Sequence, residues 1–250
     1  MKRILIKAAY DGTSYHGWQR SENSITIAGE IERALNKLTG EEIQISGASR
    51  TDAGVHSEGN LAIFDTGSPI PPERFCFALN TCLPGDIRIT DSREVPPDFH
   101  PRFLKTEKTY LYRIHLSEFP DPLRDRYVWH LNYELDLESM REGAKYLEGE
   151  HDFKSFCSVH TETRTTVREI TDLTVKRIDD EIHITVKGYG FLYNMVRIIA
   201  GTLSEVGRGL RKPSDIEEIL LSKSRERAGQ TAPAKGLTLK EIRIIDEEER

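Results

Sequence analysis

The stretch from residue 46 to residue 57 reads SGASRTDAGVHS and joins two segments that have the pattern of β-strands. Before it, Ile43 and Ile45 alternate with polar residues, and after it residues 60–64 end in an apolar run. Neighbouring strands usually turn on two to five residues. Because a connection of about a dozen polar and small residues is costly to order, it is typical of a functional loop on a rigid scaffold. A plain insertion is the alternative.

The elements around this loop follow a recognisable order. The first half is predicted to contain a strand at 3–9, a helix at 26–39 ended by Gly40, strands at 42–46 and 60–65, a helix from Pro71 to Cys82 and a strand at 86–91. This β-α-β-β-α-β order is that of the ferredoxin-like unit.

The second half repeats the plan with one additional element. It is predicted to contain a strand at 109–116, a helix at 136–147, a hairpin of 170–175 and 181–186 turned at Asp179-Asp180, a helix at 191–206, an extra short helix capped by Ser214, and a strand at 237–245. The fold class is therefore α/β (α+β), with two tandem ferredoxin-like units and a central cleft between them. We expect domains at 1–98 and 99–250, joined near the Pro-rich stretch 96–101.

Composition places the chain among globular proteins. It has 250 residues, of which 37% are hydrophobic and 30% charged. No apolar run is long enough to span a bilayer, and the first residues lack the pattern of a signal peptide. Three cysteines without paired spacing suit free thiols in a reducing compartment. These features predict a cytoplasmic protein.

The charge is unevenly distributed. The net charge of −6 argues weakly against a nucleic-acid partner. Residues 99–116 nevertheless hold four Lys or Arg against one Glu, and residues 187–213 hold five against one acid. Because salt screens distant charges within about 10 Å, such local zones can still bind phosphate. Ordinary solvated faces are the alternative.

Catalytic motifs that need a metal, a nucleotide or a serine nucleophile are missing. The sequence has no H-E-x-x-H, no P-loop, no G-x-G-x-x-G after a strand and no G-x-S-x-G. Asp52, in the long loop, can act as a nucleophile or general base. Its alternative role is an Asx-turn within the loop.

Two residues of the second half are further candidates. Arg197 lies between apolar residues at the start of a helix, where a buried guanidinium would need a carboxylate such as Asp52. An exposed arginine on the polar side of that helix is the alternative. Tyr110 shares a strand face with Tyr112 and Ile114, and for Tyr112 a core position is preferred.

Five stretches, in order along nearly the whole chain, carry a resemblance to a known family. They are YDGTSYHGWQ, SGASRTDAGVHS, FHPRFLKTEKTYLYRI, GFLYNMVRIIAGTL and APAKGLTL. Together they closely resemble the tRNA pseudouridine synthase A family. One departure is the pair Tyr193-Asn194, where the family frequently has a basic residue or histidine.

The resemblance implies an isomerase that converts uridine to pseudouridine in the anticodon stem-loop of tRNA, at positions 38, 39 and 40. It implies no cofactor or metal, and a homodimer in which one tRNA touches both subunits. By residue, Asp52 would be the nucleophile, attacking C6 of the base or C1′ of the ribose. Tyr110 would stack on the target base, Arg197 would pair with Asp52, and Arg50 would contact RNA or help displace the base. His100, Arg102 and Arg164 resemble positions that touch tRNA.

Three other functions remain open at this point. The chain could be a pseudouridine synthase that acts on another RNA, because the motifs report chemistry more than substrate choice. It could be an RNA-binding module of the same fold that has lost catalysis, although Asp52, Tyr110 and Arg197 are all present. A purely structural α/β protein would leave the long polar loop unexplained.

Overall fold

The structure, a computed structural model, describes residues 1–158 and 163–245. Contacts divide the chain into two compact units. Unit 1 is Met1–Thr106 together with the chain from Leu239 on, and unit 2 is Glu107–Thr238. Helices and largely antiparallel strands alternate along both, which confirms the α/β class. Within the described ranges, no helix is long and apolar enough to cross a membrane.

Unit 1 has the predicted order of elements. They are β1 (Lys2–Tyr10), α1 (Ile27–Thr39), β2 (Ser46–Gly47), β3 (His56–Thr66), a 3-10 turn at Pro72–Arg74, α2 (Phe75–Asn80) and β4 (Ile87–Val95). In the sheet the strands lie in the order β4-β1-β3, with β2 beside β3, and all of these pairs are antiparallel.

The remaining elements also follow the predicted order, with two short strands added. They are β5 (Thr106–Leu116), β6 (Trp129–Leu131), α3 (Leu137–Lys145), β7 (Gly149–Asp152), a 3-10 turn at Phe153–Phe156, β8 (Val167–Ile178), β9 (Glu181–Tyr189), α4 (Met195–Gly207), α5 (Asp215–Ser222) and β10 (Leu237–Ile244). The sheet of unit 2 runs β5-β9-β8-β7, and β6 lies parallel beside β5. The β8–β9 hairpin turns at Asp179 and Asp180, as predicted. Strand β10, most of which belongs to unit 1, lies beside β3.

Helix α1 covers one face of the unit 1 sheet. At its start the Thr26 hydroxyl accepts a hydrogen bond from the backbone N–H of Gly29, at 3.3 Å. Its fully buried apolar residues are Ile27, Ile31 and Leu35. Gly40 ends the helix with φ 73°, as predicted, because glycine adopts the left-handed conformation without a steric penalty.

The prediction of a strand at residues 42–46 is wrong for most of that range, because only Ser46–Gly47 pairs with β3. Side chains of α1 take the backbone N–H groups that a ladder would have used. Asn36 Oδ1 accepts one of them at 2.8 Å, and Glu32 Oε1 accepts another at 3.0 Å. Since β3 also begins at residue 56, the connecting loop is residues 48–55 and is shorter than predicted.

One predicted helix start and one predicted capping hydrogen bond differ from those observed. The helix predicted from residue 191 begins only at Met195, because Asn194 has φ 61° and cannot continue a right-handed helix backwards. Ser214 was predicted to cap α5, but in the described structure its side chain makes no capping hydrogen bond. The Asp215 carboxylate instead accepts the backbone N–H of Lys212, at 2.9 Å.

Candidate active site

The loop of residues 48–55 presents Asp52 on a tight turn. The backbone N–H of Val55 donates to the Asp52 carbonyl at 3.1 Å, and Gly54 between them has φ 78°. Asp52 is half-buried and Arg50 is exposed. The loop therefore offers a carboxylate at its bend and a guanidinium two residues earlier.

The segment after β1 holds this loop from the side. The backbone N–H of Trp18 donates a hydrogen bond to the Thr51 carbonyl at 3.1 Å. A Cβ added to Gly17, which has φ 86°, would lie 2.5 Å from the same carbonyl oxygen. A Cβ on Gly47 would lie 2.3 Å from Nε1 of the Trp18 ring. Glycine at position 17 lets the two backbones come into contact, and glycine at position 47 leaves room for the Trp18 ring.

A buried histidine fixes the far end of the loop. His56, 4% exposed, accepts the Gly12 N–H at Nδ1, 3.0 Å away. The same nitrogen lies 3.2 Å from Asp11 Oδ1. The sequence interpretation gave His56 and Asp11 no role. Asp11 lies in the motif YDGTSYHGWQ and His56 in the motif SGASRTDAGVHS, so these two motifs were the sequence signal that could have identified them.

His100 lies near the start of the same loop. Its Nδ1 accepts the Arg102 backbone N–H at 3.3 Å, so Nε2 carries the proton and donates to the Ser46 hydroxyl at 3.2 Å. The ring stacks on Phe103 with centroids 4.4 Å apart. Phe103 is itself 82% exposed, and the Arg102 side chain is exposed beside it. This corner of unit 1 combines an aromatic face with an exposed arginine.

In unit 2, the two strand tyrosines take different roles. Tyr112 is fully buried and donates its hydroxyl to the Pro233 carbonyl at 2.8 Å, so its predicted core position is confirmed. Burial raises the pKa of its hydroxyl well above the ordinary value. Tyr110 is 6% exposed and meets the edge of Phe191, with ring centroids 5.0 Å apart.

Arg197 lies in the first turn of α4 and is half-buried, which argues against the exposed alternative. Its Nη1 donates to Asn194 Oδ1 at 2.7 Å, and its Nε donates to the Ala232 carbonyl at 2.8 Å. Asn194 in turn donates to the Ser158 hydroxyl at 2.8 Å. Asn194, one of the pair that departs from the family pattern, thus helps to fix the plane of the Arg197 guanidinium.

The candidate residues divide between the two units. Unit 1 holds Asp52, Arg50, His100 and Arg102, and unit 2 holds Tyr110, Arg197 and Arg164. Within unit 1, His100 is brought against Ser46, close to the loop that carries Asp52. Arg164 is exposed shortly before β8. The proximity of Asp52 to Arg197 and Tyr110 stays a prediction.

Comparison with known proteins places this chain in a family. A family model described as tRNA pseudouridine synthase matches residues 6–104 and 144–243. The tRNA pseudouridine synthase A of Brevibacillus brevis is 50% identical over 242 residues, covering 97% of this chain and 99% of its own. That of Acetivibrio thermocellus is 48% identical over 242 residues, with the same coverage of 97% and 99%.

These matches, on an α/β fold, define the class of the protein as a pseudouridine synthase, an isomerase. The chain belongs to the tRNA pseudouridine synthase family. The family resemblance drawn from the five sequence stretches is thereby confirmed. Among solved structures, a chain of the archaeal box H/ACA sRNP Nop10–Cbf5 complex aligns with 94% of this chain and 46% of its own, at 12% identity and a TM-score of 0.36.

Proposed function

We propose that this enzyme isomerises uridine to pseudouridine in the anticodon stem-loop of tRNA, at positions 38, 39 and 40, with Asp52 as the nucleophile. The observation that carries the assignment is the position of Asp52, half-buried at the bend of a loop clamped through Thr51 and His56. Such clamping holds a nucleophile in one geometry without a metal or a cofactor. The names of the relatives support tRNA as the substrate class.

In the reaction the C1′–N1 bond of the uridine breaks, the ring turns, and a C1′–C5 bond forms. Asp52 adds at C6 of the base or at C1′ of the ribose and is released at the end. The proton on C5 is lost and N1 gains one, so the reaction is a net isomerisation. A carboxylate must be ionised to attack, and an arginine within about 4–6 Å favours that form. We assign this role to Arg197, whose guanidinium is already oriented by Asn194 and Ala232.

The other candidates would act on the RNA. A uridine in a stem must leave the base stack before a side chain can reach it, at a cost of a few kcal/mol. Tyr110 would stack on the extruded base and Arg50 would help to displace it. His100, Arg102 and Arg164 would contact the tRNA backbone, which offsets this cost. A cytoplasmic homodimer, with one tRNA touching both subunits, completes the proposal.

The first prediction is that Asp52→Asn abolishes turnover while tRNA binding is retained. The amide keeps the shape of the side chain but cannot attack, so we expect the rate to fall by a factor of roughly 10³ or more. The measurement is pseudouridine formation in an unmodified tRNA transcript, in the presence of a chelator, with tRNA affinity measured in parallel. Asp91→Asn, which neutralises an exposed carboxylate on β4, is the matched control and should leave the rate unchanged.

Each part of the proposal has its own contrary outcome. Substantial turnover by Asp52→Asn would remove the nucleophile assignment. Product from a transcript whose anticodon-arm uridines are replaced by cytidine would place the modification elsewhere in the tRNA. Wild-type protein that binds tRNA but makes no product would indicate another RNA substrate or an inactive binding module.

A further inference from the structure

The core of unit 1 contains a fully buried polar side chain. Asn60 lies on β3 with 0% exposure, opposite Ala8 of β1. It shares the helix-covered face of the sheet with Ala62 and Phe64, both of which belong to the hydrophobic core. An amide in this position must be hydrogen-bonded, because burying an unpaired polar group is destabilising.

The hydrogen bonds of this amide lead to the catalytic loop. Asn60 Nδ2 donates to the Ser49 carbonyl at 3.0 Å and to the Tyr10 hydroxyl at 3.3 Å. Since a carbonyl can only accept, Ser49 fixes which end of the amide faces the loop. The Tyr10 hydroxyl, having accepted one hydrogen bond, can donate its own proton to Thr51 Oγ1, 2.8 Å away. The first contact holds the backbone of Ser49 and the second holds the side chain of Thr51. These residues flank Arg50, and Thr51 directly precedes Asp52.

The other end of the amide argues against a purely stabilising role. Among the described residues, Asn60 Oδ1 is buried and has no hydrogen-bond partner. An orphaned acceptor weakens the core, whereas an apolar side chain at this position would bury no polar atom. A buried group of this kind calls for an explanation other than packing. The hydrogen bonds of Asn60 fix the position of Ser49 directly and that of Thr51 through Tyr10.

We propose that Asn60 and Tyr10 are positioning residues for Asp52, acting through the hydrogen bonds to Ser49 and Thr51. This inference rests on the proposed function, because it takes Asp52 as the nucleophile. Neither residue touches the substrate. They restrict the loop to the conformation in which the carboxylate attacks, and a misplacement of about 1 Å can cost up to a hundredfold in rate.

The test removes one hydroxyl group. Tyr10→Phe keeps the ring, which packs against Trp18 with centroids 6.0 Å apart, and deletes the oxygen between Asn60 and Thr51. We expect the single-turnover rate to fall about tenfold or more while the dissociation constant for tRNA stays within about twofold. Thr66→Val is the control. Thr66 also has a buried hydroxyl in unit 1, but it lies at the other end of β3 and donates to Glu41 at 2.5 Å, so its loss should leave the rate unchanged.

A second pair of variants separates positioning from folding. Thr51→Val removes the acceptor of the Tyr10 hydroxyl and should slow turnover like Tyr10→Phe, whereas Thr51→Ser keeps an Oγ and should restore most of the rate. If both hydroxyl groups act through one hydrogen bond, the double variant Tyr10→Phe/Thr51→Val is no slower than the slower single variant. Thermal unfolding of each variant shows whether it is folded.

The outcomes distinguish this inference from the proposed function. Equal rate losses in Tyr10→Phe and Thr66→Val, following equal losses in stability, would show that the hydrogen bonds of Asn60 and Tyr10 only stabilise the fold. An inactive Asp52→Asn together with a fully active Tyr10→Phe would overturn the positioning role and leave the nucleophile assignment intact. An active Asp52→Asn would overturn the proposed function itself.

Discussion

At the scale of single residues, the candidate site depends on glycines that let two loops touch. A Cβ on Gly12 would lie 2.1 Å from the Val55 carbonyl oxygen, and one on Gly17 would lie 2.5 Å from that of Thr51. Real Cβ atoms do not approach backbone atoms this closely. The segment after β1 therefore packs directly against the backbone of the loop that bears Asp52. A residue larger than glycine at position 12 or 17 must displace that loop.

A prediction at this scale concerns Gly17→Ala. The new methyl group meets the Thr51 carbonyl at a backbone angle that already disfavours alanine, so both stability and turnover should fall. Gly40→Ala is the control, because φ is 73° there and nothing lies within 4 Å of the added Cβ. It should cost about 1–2 kcal/mol of unfolding free energy and leave the rate unchanged.

For Gly17→Ala we expect a larger loss of stability than for Gly40→Ala and a rate at least about tenfold lower. Urea unfolding and pseudouridine formation measure the two effects. Equal turnover by the two alanine variants would show that the segment after β1 does not constrain Asp52.

At the scale of elements, the turn of the β8–β9 hairpin is tied to the segment that follows β5. Arg124 donates to both carboxylate oxygens of Asp180, at 2.8 and 2.7 Å, and also to Asp121 at 2.8 Å. The buried His115 side chain lies 3.1 Å from Asp180. The Arg124 guanidinium first, and then His115, holds the pKa of the Asp180 carboxyl well below its usual range.

The direction of this pKa shift predicts how stability depends on pH. Because the pKa of Asp180 is lower in the folded protein than in the unfolded chain, its ionised form stabilises the fold at pH values above about 4. That contribution is lost as the pH falls through the lower, folded-state pKa. Asp180→Asn should therefore lower the urea midpoint at pH 7 and make the loss of stability on acidification less steep.

Asp172→Asn is the control for this prediction, since Asp172 lies on the same hairpin, 3.7 Å from Lys187, and is partly exposed. It should change the urea midpoint less than Asp180→Asn does, both at pH 7 and at acidic pH. Parallel acid profiles for wild type and Asp180→Asn would contradict the assigned role of the ion pair.

At the scale of the whole molecule, the question is how an acidic chain binds RNA. The net charge is −6, yet His100 and Arg102, two of the residues proposed to touch tRNA, lie in the locally basic segment of residues 99–116. Phosphate contacts release counterions, so their affinity falls steeply with salt regardless of the net charge of the protein.

We predict that tRNA affinity weakens linearly with salt on a double-logarithmic scale. Arg102→Gln and Arg164→Gln should each reduce the slope by about one. Arg177→Gln is the control, because Arg177 is paired with Glu134 at 2.9 Å and is not proposed to touch tRNA. A flat response of wild type, or equal slopes for all three variants, would contradict the phosphate contacts.

The sequence by itself determined the elements and the candidate residues. The spacing of Ile27, Ile31 and Leu35 placed α1, Gly40 placed its end, and the motif of residues 46–57 singled out Asp52. These features depend on neighbours within a turn or two of the chain, so local patterns are sufficient to predict them.

Only the tertiary structure decided how the loop of residues 48–55 is held. Asn60 and Tyr10 are 50 residues apart in sequence, and nothing in either segment predicts their hydrogen bond. The apolar alternation before residue 46 likewise predicted a strand, but Glu32 and Asn36 of α1 take its backbone N–H groups. Such contacts are set by where the fold brings distant side chains together, and no periodicity along the chain records that.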